Sequence, residues 1–434
     1  MTAAPPRETN TEQERDRETT KMSQIHRRGL LGAAAAAPLL GALPHRPARA
    51  QAANTIRIGL LSDFSGPFRD LNGPNSIAAT RLAIQEFGNR GFNVEMVQAD
   101  HQNRPDVGVN IARQWFDRDN VDMVLNLAAS SVALAVSELA RERNKVAIAT
   151  STATSDLTGR ACNANTIHWV YDTYMLAKVS GLATVRAGGQ NWFFITADYA
   201  FGHALERDTA NFVRQAGGRV LGQVRHPFPG TTDFSSFIVQ AQASRAQVIG
   251  LANAGADTIN SIKQIGEFGV TRRGIRVASL LLFITDVHAL GLQTAQGLVC
   301  ANTFYWDLND RTRRVAQRVL QLSGADMPVA MSHAGDYSAT LHYLKTVADM
   351  GVAAAKASGR DVVARMKRMP TSDDAFGEGT IREDGRKMHP AYLCEVKSPA
   401  ESRGRFDYYK VLQTVTPEEA FRPLSEGACP MVRT

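Results

Sequence analysis

Residues 121–159, VDMVLNLAASSVALAVSELARERNKVAIATSTATSDLTG, carry the reading that decides the fold. Val121 to Leu127 is an apolar run of strand length, closed by a small polar turn, Ala128 to Ser131. Val132, Ala135, Val136 and Leu139 then recur at helical spacing. Lys145 to Ala149 is a second apolar run, and it too ends in a small polar turn, Thr150 to Ser155. Strand, helix and strand of these lengths make a βαβ unit of a parallel sheet. Both strand ends bring hydroxyls and backbone N–H groups to one sheet edge. Open α/β sheets bind ligands at that edge, and helix N-termini there favour an anion. Ser130, Ser131 and Ser151 are also natural helix caps, and a cap leaves neighbouring N–H groups available.

The same alternation extends in both directions. Upstream, Thr55 to Leu61 is a strand ending in the turn-rich Ser62-Asp63-Phe64-Ser65-Gly66-Pro67. Asn72-Gly73-Pro74-Asn75 opens a helix to Phe87, with proline in its first turn. Asn93 to Gln98 is a strand, and Arg104-Pro105-Asp106 starts the next helix. Downstream, the aromatic-rich stretch from Thr166 breaks the rhythm, and Asn191 to Thr196 begins a second series. It continues with a helix carrying Leu205, Phe212 and Val213, then strands at Arg219 to Val224, Gln247 to Ala252 and Arg276 to Leu282. Helices at Phe234 to Ala243 and Asp257 to Phe268 separate those strands. A further crossing is expected near Asn302, because two long helices follow, Asp310 to Ser323 and Ser332 to Ser358. After Pro370 the helical pattern is lost, and a hairpin at Gly379 to Arg386 precedes strands at Ala391 to Val396 and Arg405 to Thr414. The reading is α/β: two doubly wound parallel-sheet units in tandem.

Composition narrows the class. A 434-residue chain with 44% hydrophobic and 21% charged residues is that of an ordinary globular protein of two or three domains. Met1 to Lys21 is polar and without periodicity. His26-Arg27-Arg28-Gly29-Leu30-Leu31, an Ala/Leu/Gly run to Leu43 and Ala48-Arg49-Ala50 then form a signal peptide pattern, of the twin-arginine kind, over residues 1–50. The apolar run is too short to cross ~30 Å of hydrocarbon. Met22 is an alternative start to Met1. Removing residues 1–50 takes eight Lys/Arg and five Asp/Glu, so the net charge falls from +7 to +4. The remaining basic residues are scattered, which argues against nucleic-acid binding; the cluster Arg311 to Arg318 reads as a solvated helix face or a docking surface for a permease. Cys162, Cys300, Cys394 and Cys429 fit no zinc spacing. An exported chain permits a disulfide, but the spacing does not pair them. No phosphate loop, dinucleotide fingerprint, nucleophile elbow or zinc-protease motif is present, so neither an enzyme, a cofactor nor a metal is expected.

The tandem units, together with Leu61-Ser62-Asp63-Phe64-Ser65-Gly66-Pro67 and Asp198-Tyr199-Ala200-Phe201-Gly202, resemble the type I periplasmic solute-binding proteins. These are receptors of ATP-driven (ABC) importers of the branched-chain amino acid class. Ser155-Asp156-Leu157-Thr158-Gly159, His168-Trp169-Val170-Tyr171-Asp172-Thr173-Tyr174 and Pro399-Ala400-Glu401-Ser402 resemble a branch associated with benzoates and cinnamates. The resemblance implies a periplasmic, monomeric receptor whose partners are a small ligand and a membrane permease. It also implies two lobes joined by three crossings with the ligand cleft between them: 54–172 plus 302–370, and 175–300 plus 371–434.

In amino-acid-binding relatives the first lobe holds a carboxylate at the turns after its third and fourth strands. Here those turns give Ala129 and Ser130, then Ser151 and Ala153; the family often has threonine at the last position, and Thr152 or Thr154 could replace that hydroxyl. The first loop reaches the ligand near Leu71, and the second lobe contributes Phe201 beside Tyr199 and the loop Ala254 to Asp257. Where amino-acid binders place an acid against the ammonium, this sequence has Leu282 or Phe283. An unpaired ammonium buried there would cost several kcal/mol, so a carboxylate without an amine is expected. Asp257 and Asp286 are the residues that would restore an amino-acid ligand; a sensor role is the other alternative.

Overall fold

The computed structural model describes residues 54–433; the signal-peptide reading falls outside them. Two parallel sheets organise the chain. The first has the order β2-β1-β3-β4-β5, from Asn93–Asp100, Thr55–Ser62, Met123–Asn126, Val146–Ala149 and Thr166–His168. Helices α1 (Pro74–Phe87), α2 (Pro105–Asp117) and α3 (Ser130–Glu142) connect its first four strands. The second sheet has the order β7-β6-β8-β9, from Arg219–His226, Asn191–Ala197, Val248–Ala252 and Arg276–Ser279. Its helices are α4 (Ala200–Gln215), α5 (Ser235–Ala243) and α6 (Ala256–Glu267). Helix α7 (Ile284–Leu290) follows β9.

Central strands are buried on both faces, which is why they read as unbroken apolar runs. Ile58, Leu60, Met123 and Leu125 enter the main core, while Leu61 and Val124 pack on the opposite face with Trp115, Val132 and Val136. Gly59 lets α2 lie close on β1: a Cβ there would stand 2.5 Å from the Trp115 ring.

The chain passes between the lobes three times. After β5, Thr173–Arg186 leads into β6; after β10 (Val299–Asn302), α8 (Asp310–Ser323) and α9 (Met331–Met350) return to pack on α1; after α10 (Gly359–Arg368) and the hairpin β11–β12 (Thr371–Asp373, Gly377–Gly379), the chain reaches β13 (Ala391–Val396). Strand β13 pairs antiparallel with β10 and with β14 (Tyr409–Val415). Arg386 and Asp172 form a buried ion pair (3.2 Å) that ties the first passage to the third.

Four local expectations need correction. Strand β9 ends at Ser279, not Leu282, because Leu280 to Phe283 leave the sheet to cap α7. The helix expected to Ser358 stops at Met350, where Gly351 takes φ +83°. Helix α10 was not anticipated. The hairpin expected at Gly379 to Arg386 is divided: the paired strands lie just before it, and residues 381–387 form a tight turn closed by the Ile381–Lys387 bridge with Gly385 at φ +86°.

Cys162 and Cys429 are joined in a disulfide across 267 residues, while Cys300 and Cys394 are buried free thiols on facing strands. Cross-linking so long a loop stabilises by about 2–5 kcal/mol. The Cys162→Ser/Cys429→Ser variant should therefore show a clearly lower urea midpoint than the wild type, with a somewhat larger m-value because the unfolded chain is no longer cross-linked; an unchanged midpoint would show that the bridge carries no stability.

Candidate functional site

Every strand of both sheets that flanks the point where strand order reverses sends its C-terminal loop to one place, where open α/β sheets form ligand crevices. A small cavity, with room for about 10 Å³, lies there. The loop after β1 contributes Phe68 and Leu71, the loop after β3 Ala128 and Ser130, and the loop after β4 Ser151 and Ala153. Tyr171 follows β5. The second sheet supplies Tyr199 and Phe201 after β6, Ala254 after β8, and Leu281 and Phe283 after β9. None of these side chains is charged.

The first-sheet half carries the hydroxyls of Ser130 and Ser151 among the apolar Phe68, Leu71, Ala128 and Ala153, and it is held from behind. Asn126 and Leu127 have φ of +83° and +59°, turning the chain out of the sheet just before Ala128. Such values cost an L-residue roughly 1–2 kcal/mol, and a buried network imposes them. Asn126 Nδ2 donates to both carboxylate oxygens of Asp336 (3.2 and 3.0 Å), its Oδ1 accepts from Ser62 Oγ (2.6 Å), and Thr150 Oγ1 donates to Asp336. Asp336 has no cation beside it, and burial pushes its carboxyl up to about 7. In the second turn, Ser151 Oγ donates to Asn72 Oδ1 (2.8 Å), while Ser130 Oγ accepts the Thr154 N–H (3.2 Å). The N–H groups of Thr150 and Ser151 are spent on the Asn126 carbonyl. The first-turn N–H groups of α3 lack intrahelical acceptors, as at any helix start, so they are the donors left for a ligand.

The second-sheet half is aromatic. Tyr199 stacks on Phe228 at 3.9 Å and lies 5.7 Å from Phe201, and Tyr171 meets Phe283 edge-on at 5.5 Å. The mouth is shut by backbone: the Ala256 N–H donates to the Pro67 carbonyl (3.1 Å). Gly255 at φ +60° permits this approach, because a Cβ would stand 2.6 Å from that oxygen. Asp63 pins the facing loop by accepting from the N–H groups of Gly66 and Phe68 and from Asn103 Nδ2. On the far side, Arg207 of α4 pairs with Asp156 (3.2 Å) and Asp208 accepts from Ser155 Oγ (2.8 Å).

The structure brings Leu71, Ser130, Ser151, Ala153, Tyr199, Phe201, Ala254 and Phe283 to the cavity. It places Ala129 and Leu282 elsewhere: Ala129 packs beneath α3 with Val132 and Val136, and Leu282 is buried in the main core, so Ala128 and Leu281 line the space instead. Asp257 faces an adjoining recess. Asp286 accepts the Phe283 N–H (2.9 Å) as a cap of α7 and also borders that recess. Phe68 and Phe228 were missed; their positions depend on loop packing that no periodicity encodes.

Burial raises the Asp257 carboxyl to about 7. Its folded-state pKa thus exceeds its unfolded value, so its stabilising contribution is full below about pH 4 and is lost as pH rises through about 7. Asp257→Asn should gain stability relative to the wild type between pH 5 and 8, by at most about 1.4 kcal/mol per pH unit. Urea midpoints at the two pH values test this, and a difference independent of pH would refute it.

The sequence matches the family described as periplasmic binding protein over residues 55–404. A crystal structure of a periplasmic binding protein from Burkholderia mallei superposes with a TM-score of 0.83 at 43% identity, covering 88% of this chain and 100% of that one. A branched chain amino acid ABC transporter periplasmic ligand-binding protein from Burkholderia xenovorans LB400 gives 0.75 at 37%, covering 87% and 99%. A Leu/Ile/Val-binding protein homolog 6 from Brucella melitensis is 23% identical over 376 residues, 85% of this chain and 93% of that protein. An ABC transporter solute-binding protein from R. palustris in complex with benzoate shares the fold at 18% identity and TM-score 0.73, covering 84% and 97%. The chain belongs to the periplasmic binding protein family, in its Leu/Ile/Val-binding class. It is a solute-binding protein and not an enzyme, and the family's place of work is the periplasm.

Proposed function

We propose that the protein captures a small aromatic carboxylate, such as a benzoate or cinnamate, and delivers it to the permease of an ABC importer. The observation that carries this reading is a cavity that joins the Ser130 and Ser151 hydroxyls of the first sheet to the aromatic Tyr199, Phe201 and Phe283 of the second, with no charged side chain in its lining. The α3 N-terminus favours a carboxylate by roughly 0.3–2 kcal/mol without needing Arg or Lys. Phe201, Phe283 and Tyr199 offer the ring an apolar wall. The fold's capacity to hold benzoate in the R. palustris protein supports the same reading. Residues 54–172 plus 302–370 and 175–300 plus 371–434 act as the two lobes, hinge closure sequesters the ligand, and the receptor works as a monomer exported by its twin-arginine signal.

The kinship with branched-chain amino acid receptors favours a second reading, an amino-acid ligand. It lacks an acid in the cavity for the ammonium. A thermal-shift screen separates the two, since a ligand that binds only the native state raises the melting temperature. Benzoate and 4-hydroxycinnamate should raise it and leucine should not; the reverse pattern would replace the aromatic reading by the amino-acid one.

A further inference from the structure

Beside the cavity lies a second recess of about 380 Å³, open to solvent. Leu71 lines both spaces, and the chain runs from Ala254 in the cavity to Asp257 in the recess within one turn. The recess is bordered by residues 66–71 on one side and by 229–232, 255–260 and Asp286 on the other. Its acids differ in how they are satisfied. Asp286 accepts the Phe283 N–H, and Asp70 is exposed and paired with Arg69 (3.2 Å). Asp257 is only 2% exposed, yet its Oδ2 has no hydrogen-bond partner. The nearest cation-forming group, His226 Nδ1, stands 3.9 Å away, and burial keeps that imidazole neutral by lowering its pKa. A buried carboxylate without a donor is costly, and proteins rarely leave one unused.

Resting on the aromatic-acid reading, we infer that this recess is a second subsite in which Asp257 receives a protonated amine at the far end of the ligand. The preferred solute then carries a carboxylate at one end of its ring and a cationic substituent at the other. The α-ammonium of an amino acid sits next to its carboxylate and does not meet this description. Groups facing Asp257 fix the pH response. Tyr199 and His226 stay neutral, Arg69 is engaged by Asp70, and Asp286 shares the raised carboxyl pKa of about 7. Amine recognition therefore strengthens as pH rises through about 7.

Calorimetric titration of the full chain with benzoate, and with 4-(aminomethyl)benzoate and 4-(aminomethyl)cinnamate beside their methyl analogues, tests the inference. At pH 8 at least one amine should bind about tenfold or more tightly than its methyl analogue, a gap near 1.4 kcal/mol. The gap should shrink at pH 6 in the wild type. In Asp257→Asn it should vanish while benzoate affinity stays within about twofold of the wild type. The benzoate titration doubles as the folding control, and the wild-type pH series needs no variant. Benzoate binding with no amine preference, or a preference that survives Asp257→Asn, overturns the subsite alone. If none of the acids binds and leucine does, the aromatic-acid reading fails and the subsite with it.

Discussion

Replacing Ser130 by aspartate should lower benzoate affinity on the order of a thousandfold at pH 8. Ser130 is buried at the first turn of α3 and lines the cavity. A carboxylate there would face the ligand's carboxylate at short range. Two like charges about 4 Å apart repel by roughly 4 kcal/mol at an effective dielectric of 20, which is the thousandfold. Burial raises the pKa of the introduced carboxyl, so the loss should be smaller at pH 5.5. Ser130→Ala removes one neutral hydrogen bond and should cost about 0.5–1.5 kcal/mol, or roughly three- to tenfold. A folded Ser130→Asp protein that retains benzoate at pH 8 would place the carboxylate elsewhere.

Gly255→Val should weaken every ligand by about a hundredfold, whatever its charge. The backbone at Gly255 (φ +60°, ψ −133°) lies in a region essentially reserved for glycine, which costs an L-residue about 1–3 kcal/mol, and a Cβ would stand 2.6 Å from the Pro67 carbonyl and 2.8 Å from the Phe68 ring. Both penalties fall on the shut mouth, where the Ala256 N–H meets Pro67. Affinity drops by the fraction of molecules that can still close, and about 3 kcal/mol gives the hundredfold. Small-angle scattering with saturating benzoate should show a larger radius of gyration than the wild type. Equal affinity and an equal radius would show that the mouth closes without this contact. The two variants separate the parts of binding: the first discriminates by ligand charge, the second does not.

Much of the fold could be read from the chain because its central strands are buried on both faces. β3 and β4 announce themselves as apolar runs, and each loop's place on the ligand edge follows from parallel topology. Most of the expected positions line the cavity themselves, and two are displaced by one residue. Ala129 was expected where Ala128 stands, because the left-handed Asn126 and Leu127 rotate the chain where two-residue alternation has already ended. Of the pair Leu282 or Phe283, Phe283 lines the cavity while Leu281 stands there in place of Leu282, because β9 stops three residues early ahead of α7. Phe228, stacked on Tyr199, was invisible: its partner is 29 positions away in a different loop, and only packing joins them. The aromatic wall depends on such contacts, whereas the polar turns are local features of the chain.

The Cys162–Cys429 bridge also bears on how the molecule comes apart. Cys162 is made before the first passage between the lobes, and Cys429 after all three. The bond therefore encloses all three passages in one covalent loop, so the loop's two ends stay joined even when the strands between them part.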